Sequence, residues 1–498
     1  MDELKTLAKL VTYTNNIRTM LPLPRMGKGK EELFYSNLLC GKYSNDNDAA
    51  QDLYGSDSGD VRYKMLKHRL RKKLFNQLLF ANYSRFSTSD FYQKEHECFG
   101  LIYKANVLLR NKELNLVLPV SSKALNIARE YELTNLAIAA LEFEAFYYSE
   151  AGLHKKYLKT EKELRLVLRQ KAFEREAVSI LQKLKVTLSK SIKVRSEVLP
   201  TLQDVIKRLF KLWQLSKTFE AFNAYYKASM LLYEMSGDFP KITELTLLSE
   251  RWVKEKKVNS RRFDANFNRY ILVYAHLRAK KLQEGLDYAQ KFIIHFSEDS
   301  LNWFAFMENY YLLSVYLKNY ELAGNLLFKV NQNPVLKKIS NAAKERWLLY
   351  ETYLSLFLGK NYQHFKASNP FVLSLPEYSK DKQGYNVAIL ILQFIYFLQK
   401  DDTESLLFRI ESLKKYIHTH LKDSFSSRSK LFLKLLILVV TEDFDPNACQ
   451  KKGEKLYNRL IQEPTPGDAY AEIEIVPYEH LWDFIMKVLV GQKVLSKA

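Results

Sequence analysis

"LKNYELAGNLL", Leu317–Leu327, is a joint: an aromatic-rich helical pattern runs into it, Lys318 and Asn319 break it, and a second helical pattern leaves it. The same arrangement stands in "RNKELNLVL" (Arg110–Leu118), "AKKLQEGLDYA" (Ala279–Ala289), "LGKNYQHFKA" (Leu358–Ala367) and "LQKDDTESLLF" (Leu398–Phe408). Leu282 to Tyr320 is 38 positions, Tyr320 to Tyr362 is 42, and Tyr362 to Asp402 is 40. Self-similarity at this period is the mark of stacked helix pairs. The expected fold is all-α: a right-handed α-solenoid of antiparallel helix pairs, each burying its apolar face against its neighbours.

The bulk composition agrees. A chain of 498 residues exceeds what one compact core supports, a limit that stacked repeats escape. Gly is 15 and Pro 12, well under the usual share, so long helices with tight joints are favoured over sheet folds. Tyr 32 and Phe 30 supply rings for the seams between helices. The three cysteines, Cys40, Cys98 and Cys449, are too few and too scattered for a disulfide framework or a zinc site, which fits a reducing, cytoplasmic setting. The start, "MDELKTLAKL", lacks the apolar core of a secretory signal. The apolar runs Val387–Leu398 and Leu431–Val440 fall short of the ~20 residues a membrane span needs.

Three regions follow from the pattern: a basic helical head over 1–80, a repeat region over 81–461, and an acidic cap segment over 462–498. In the head, a first helix begins at Met1, and Asn47–Tyr54 forms a brief helix with Asp46 or Asn45 as N-cap and Gly55 beyond its end. A strongly basic helix follows over Val61–Phe80. The repeat region reads as successive amphipathic helices. Lys155–Lys171 and Glu174–Lys190 are read as two of them. The cap carries "YAEIEIVPY", Tyr470–Tyr478, whose alternation predicts an extended stretch, and then a helix with Leu481, Trp482, Ile485 and Val488 on one side. The cap is expected to fold back onto the repeats, with Glu472, Glu474, Trp482 and Asp483 as the clasp.

"LQEGLDYAQKFI" (Leu282–Ile293) and "YELAGNLLFKV" (Tyr320–Val330) resemble second helices of tetratricopeptide-type repeats. In that family small residues sit where helices cross closely, a part that falls here to Gly285, Ala289, Ala323 and Gly324. The period of about forty departs from the family's roughly 34, and the usual tryptophan and closing proline are missing. The resemblance implies binding of a protein or peptide partner in a concave groove. Residues 44–80 resemble the helix-turn-helix head of certain bacterial regulators. Ala49, Ala50, Leu53 and Tyr54 match its first helix, and Leu66, Arg69, Leu70 and Arg71 its second. That likeness implies DNA contact.

The sharpest local signal is "VRYKMLKHRLRKKLF", Val61–Phe75, with seven cations: Arg62, Lys64, Lys67, Arg69, Arg71, Lys72 and Lys73. Met65, Leu66, Leu70, Leu74 and Leu78 form an apolar stripe, and Lys64, Lys67 and Arg71 share a face suited to phosphates or an acidic partner. The net charge of +20 points the same way.

No constellation in the chain carries a reaction. "GKGK" (Gly27–Lys30) lacks the phosphate-loop frame, and "GSDSG" (Gly55–Gly59) has Asp57 where a nucleophilic serine would stand. His418 and His420 are two apart and point to different sides of a helix. No catalytic, cofactor or metal residue is assigned. The expected function is a non-enzymatic scaffold for a protein or peptide partner. The alternative is a nucleic-acid-binding regulator whose repeats sense a signal or self-associate.

Overall fold

The computed structural model describes residues 1–14, 29–78, 89–188, 201–358, 383–420, 427–463 and 474–495. Among the described residues the chain is all-helical, with twenty-one α-helices and no strand. It divides into two compact units, Met1–Ala172 and Phe173–Ala498.

In the first unit, α1 (Asp2–Thr14), α2 (Lys30–Leu39), α3 (Asp46–Tyr54) and α4 (Val61–Leu78) form a head around Leu4, Val11, Phe34, Ala50, Leu66 and Leu70. Asn45 caps α3: its side chain accepts from the amides of Asn47 and Asp48, while Asp48 bonds back, and Gly55 closes the helix at φ 65. α5 (Asp90–Arg110), α6 (Leu114–Glu130) and α7 (Thr134–Glu150) pack on one another through Cys98, Leu101, Leu125 and Ala140.

α8 (His154–Leu188) begins in this unit and ends in the second. Its 35 residues join the stretches expected to be two helices. The reason is local: "QKAFER", Gln170–Arg175, has neither Gly nor Pro nor a capping side chain to stop the helix.

The second unit continues with α9 (Leu202–Ser216), α10 (Phe219–Ser236), α11 (Phe239–Lys254), α12 (Ala265–Arg278), α13 (Leu282–Phe292) and α14 (Leu301–Tyr316). Next come α15 (Tyr320–Gln332), α16 (Asn341–Leu358), α17 (Gln383–Gln399) and α18 (Thr403–His420). It ends with α19 (Ser427–Thr441), α20 (Pro446–Gln462) and α21 (Tyr478–Leu495). Within each described run, consecutive helices pack on one another, and α12 also packs on α14.

The joints share one backbone device. After α14, the Lys318 amide donates to the Val315 carbonyl at 3.0 Å and the Asn319 amide to the Ser314 carbonyl at 2.9 Å. This crossed pair satisfies carbonyls that the helix end would leave open, and it needs a left-handed residue between the helices. The same pair of bonds closes α5, α6, α7, α10, α11, α12, α17 and α19. The left-handed residue is Gly at Gly152 and Gly237, and at Gly41 after α2, where the same pair of bonds forms. Elsewhere it is Lys112, Glu132, Lys256, Lys280, Lys318, Asp401 or Asp443, with φ between 49 and 62. The joints quoted at Arg110, Ala279, Leu317 and Leu398 are all of this kind. The one at Leu358–Ala367 lies, beyond Leu358, outside the described residues.

Tyrosine hydroxyls tie helices two apart in order. Tyr226 of α10 donates to Asn268 of α12 at 2.7 Å, and Tyr274 of α12 to Glu234 of α10 at 2.7 Å. Tyr311 of α14 donates to the Tyr350 carbonyl of α16 at 2.9 Å, and Tyr350 donates back to Glu308 at 2.7 Å. These partners are 39 to 42 positions apart, the spacing of the joints.

Small residues occupy the close crossings. A side chain at Gly285 would come within 2.9 Å of His276 Cβ and of Leu313 Cδ2, so α13 approaches α12 and α14 as only glycine allows. Ala289, Ala323 and Gly324 are buried on the same kind of face. The α12 stretch Ile271, Leu272, Ala275 and Leu277 is buried between neighbours on more than one side.

Candidate basic interface and C-terminal clasp

α4 presents two kinds of cation. Tyr63, Leu66, Leu70 and Leu74 are buried against the head, and this fixes the rotation of the helix. Lys67 Nζ then reaches Asp46 Oδ1 at 2.7 Å, where the Tyr63 hydroxyl also donates at 2.6 Å. Arg71 meets Glu3 through two bonds of 2.8 and 3.0 Å, Lys73 meets Glu31 at 2.7 Å, and Arg62 meets Asp60 at 2.7 Å. Burial would push the Asp46 carboxyl up, but the bonds from Lys67 and Tyr63 outweigh it and hold it down at about 2. The Arg62 guanidinium, with Ser56, holds the Asp60 carboxyl well below the usual carboxylate range.

Four of the seven cations are thus engaged by the head's own carboxylates. Lys64, Arg69 and Lys72 are exposed, and no acid in the described residues pairs with them. Of the face formed by Lys64, Lys67 and Arg71, only Lys64 stays open. Met65 does not join the apolar stripe: it is 58% exposed, because its position on α4 lies opposite Leu66 and Leu70. Leu78 is half-buried at the edge. The outward surface of α4 therefore combines Lys64, Arg69 and Lys72 with Val61 and Met65.

The clasp forms around a cation that the sequence reading passed over. Arg428, in the first turn of α19, is 4% exposed. Its guanidinium bonds Glu474 through Nε and Nη2, Glu479 through Nη2 at 2.9 Å, and the carbonyls of Leu460 and Glu463 through Nη1 at 2.7 and 3.2 Å. One side chain gathers the end of α20, the stretch before α21, and the first turn of α21. Burial opposes the charge on Arg428, and the carboxylates of Glu474 and Glu479 outweigh it, so its pKa is raised. The Tyr478 ring stacks on Phe432 with centroids 4.6 Å apart, and its hydroxyl bonds Ser429 at 2.9 Å. Tyr316 of α14 donates to the Glu474 carbonyl.

Of the residues assigned to the clasp, Glu474 meets Arg428, Asp483 meets Lys318 at 3.4 Å, and Trp482 is buried beside Gly453 and Tyr457. Glu472 lies outside the described residues, as do the other residues of the alternating stretch before Glu474. Its described part, 474–478, forms no strand: Ile475 and Val476 are buried, and Tyr478 already belongs to α21. Arg428 carried a readable signal. It stands one turn before Leu431 and Phe432 on the apolar face of α19, where a charge needs a buried acid.

His480 sits in the clasp with Nδ1 buried and unbonded. Burial, helped by the Lys318 ammonium and opposed by Glu479 and Asp483, pushes its imidazole down to about 4. The folded chain therefore holds a neutral ring. As pH falls below about 6.5 the unfolded chain binds a proton that the folded chain refuses, so stability drops until about 4, where both titrate. Thermal melts of His480→Gln across that window are expected to show a flatter pH dependence than those of the wild type.

An open groove of about 680 Å³ runs between α20 and α21, lined by Lys451, Glu454, Tyr457, Trp482, Asp483 and Lys487 among others. It balances two lysines against two carboxylates and contains no thiol or imidazole. Burial pushes the Cys98 thiol up to about 12 and the Cys449 thiol to about 11, far from a reactive thiolate. Among the described residues no cluster of three or more His, Cys, Asp or Glu could hold a metal, and no helix is long and apolar enough to cross a membrane. No known family profile matches the chain, and no curated protein matches it.

Proposed function

We propose that this chain is a non-enzymatic helical-repeat scaffold, a tetratricopeptide-like right-handed α-solenoid whose exposed helix faces bind a protein or peptide partner. The observation that carries the reading is the period. Joints closed by one backbone device alternate with tyrosine bonds that span 39 to 42 residues, which is how stacked helix pairs recur. The excess of basic charge selects an acidic partner. The test is fluorescence anisotropy of labelled acidic amphipathic peptides against the full chain. Saturable binding that outlasts added salt supports the scaffold reading, and binding abolished by modest salt counts against it.

A second reading, a nucleic-acid-binding regulator, draws on the open cations of α4. Their number limits it, since engaged cations release few counterions. With duplex DNA, Lys64→Ala, Arg69→Ala and Lys72→Ala together should reduce the slope of log affinity against log salt by about 3. Lys67→Ala and Arg71→Ala should change it less. An absence of DNA binding at low salt ends this reading.

A further inference from the structure

We propose that the outward face of α8 over residues 155–169 docks an acidic amphipathic helix, resting on the scaffold reading and assigning it a surface. The rotation of this half of α8 is set by Thr160 and Leu164, which are buried, and by Val167, which packs against the core of α5, α6 and α7. At about 100° per residue, the side turned away from them carries Lys155, Leu158, Lys159, Lys162, Leu166 and Arg169, all exposed. Leu158 and Leu166 are 52 and 57% exposed. Residues 154–172 hold two acids, and both are engaged at the flanks: Glu161 by Arg165 at 2.8 Å and Glu163 by Arg129 of α6 at 2.6 Å. No acid among the described residues pairs with Lys155, Lys159, Lys162 or Arg169.

Spacing and charge together select the partner. Lys155, Lys162 and Arg169 stand seven residues apart, and so do Lys159 and Leu166. Positions seven apart drift by only about 20° per heptad, so they form a column that a second helix can follow. The column is about 21 Å long, at roughly 1.5 Å per residue. Its cations call for carboxylates at the same spacing, and the two exposed leucines beside it call for apolar side chains between those carboxylates. A phosphate backbone would use the cations and leave Leu158 and Leu166 in water. A lipid surface would use both and has no need of the spacing. Two heptads of helix bury on the order of 1,000 Å² over both partners, the lower end for a specific interface, so the binding is weak.

The test is fluorescence anisotropy of the full chain with a labelled three-heptad peptide, bridged to stay helical, with glutamate at every seventh position and leucine between. Lys155→Glu, Lys162→Glu and Arg169→Glu together are expected to weaken binding at least tenfold, and Leu158→Ser with Leu166→Ser about threefold. Circular dichroism should stay unchanged, all five side chains being exposed. Lys207→Glu, Lys211→Glu and Lys227→Glu make the same charge change on α9 and α10 and should cost far less. A scrambled peptide of the same composition should bind about tenfold more weakly. An equal loss from the α9 and α10 changes, an equal affinity for the scrambled peptide, or indifference to the leucine pair overturns the proposal, because bulk charge then explains the binding. Saturable binding that ignores every α8 change also overturns it and leaves the scaffold reading standing. Absence of binding ends it as well, and the acidic peptides of the scaffold test then decide that reading alone. If duplex DNA or phosphatidylserine vesicles bind this face and the peptide does not displace them, the partner is of another class and the proposal falls.

Discussion

Arg428→Ala is expected to lower the stability of the C-terminal unit by about 3–5 kcal/mol, because it strands Glu474 and Glu479 in a site built to neutralise them. The loss should appear in chemical denaturation and as faster amide exchange in α21, whose attachment depends on the cation. Arg428→Lys should recover only part of it. An ammonium has three donors, and the guanidinium uses its fork on two carboxylates and two carbonyls at once. Removing all three charges with apolar residues of similar size is expected to cost far less than removing the arginine alone. If Arg428→Ala melts like the wild type, the clasp does not hold the C-terminal end.

Tyr311→Ala should be comparably severe, at about 3–5 kcal/mol, the usual cost of deleting a large ring from a packed core. Tyr311 is fully buried, stacks on Tyr350 with centroids 5.2 Å apart and meets the edge of Trp347. Tyr311→Phe keeps the ring and removes only the bond to the Tyr350 carbonyl, so its cost should be about 1 kcal/mol. The gap between the two variants, read by denaturant melts, separates packing from hydrogen bonding at a helix-to-helix contact. Equal effects would mean that the hydroxyl, not the ring, carries the contact.

The periodic features were legible because they are local. A polar pair such as Lys318–Asn319 marks a joint whatever surrounds it, and Gly285 and Ala289 mark a close crossing by size alone. The single helix α8 was not legible, because no local mark separates its two halves. Two helices were expected over Lys155–Lys171 and Glu174–Lys190, and nothing between Gln170 and Arg175 stops the first of them.

The candidate sites were less legible because they depend on pairing at a distance. Arg71 is engaged by Glu3, 68 positions away, and Arg428 by Glu474 and Glu479, 46 and 51 positions away. Composition counts all seven cations of α4 alike. Only the rotation imposed by Tyr63, Leu66, Leu70 and Leu74 separates Lys67, turned to Asp46, from Lys64, Arg69 and Lys72, turned away.

The joint has a consequence for how such a chain can change in length. Its two bonds run between main-chain atoms of a few neighbouring residues, so each joint is complete without help from any other. A helix pair can be gained or lost while the joints on both sides stay intact, and the left-handed position asks only for a residue that tolerates it, as Lys, Glu, Asp and Gly all do here. What cannot be duplicated or trimmed so freely are the terminations. The carboxylates that quench α4 and the arginine that gathers α19 to α21 are assembled once each, from parts that lie far apart along the chain.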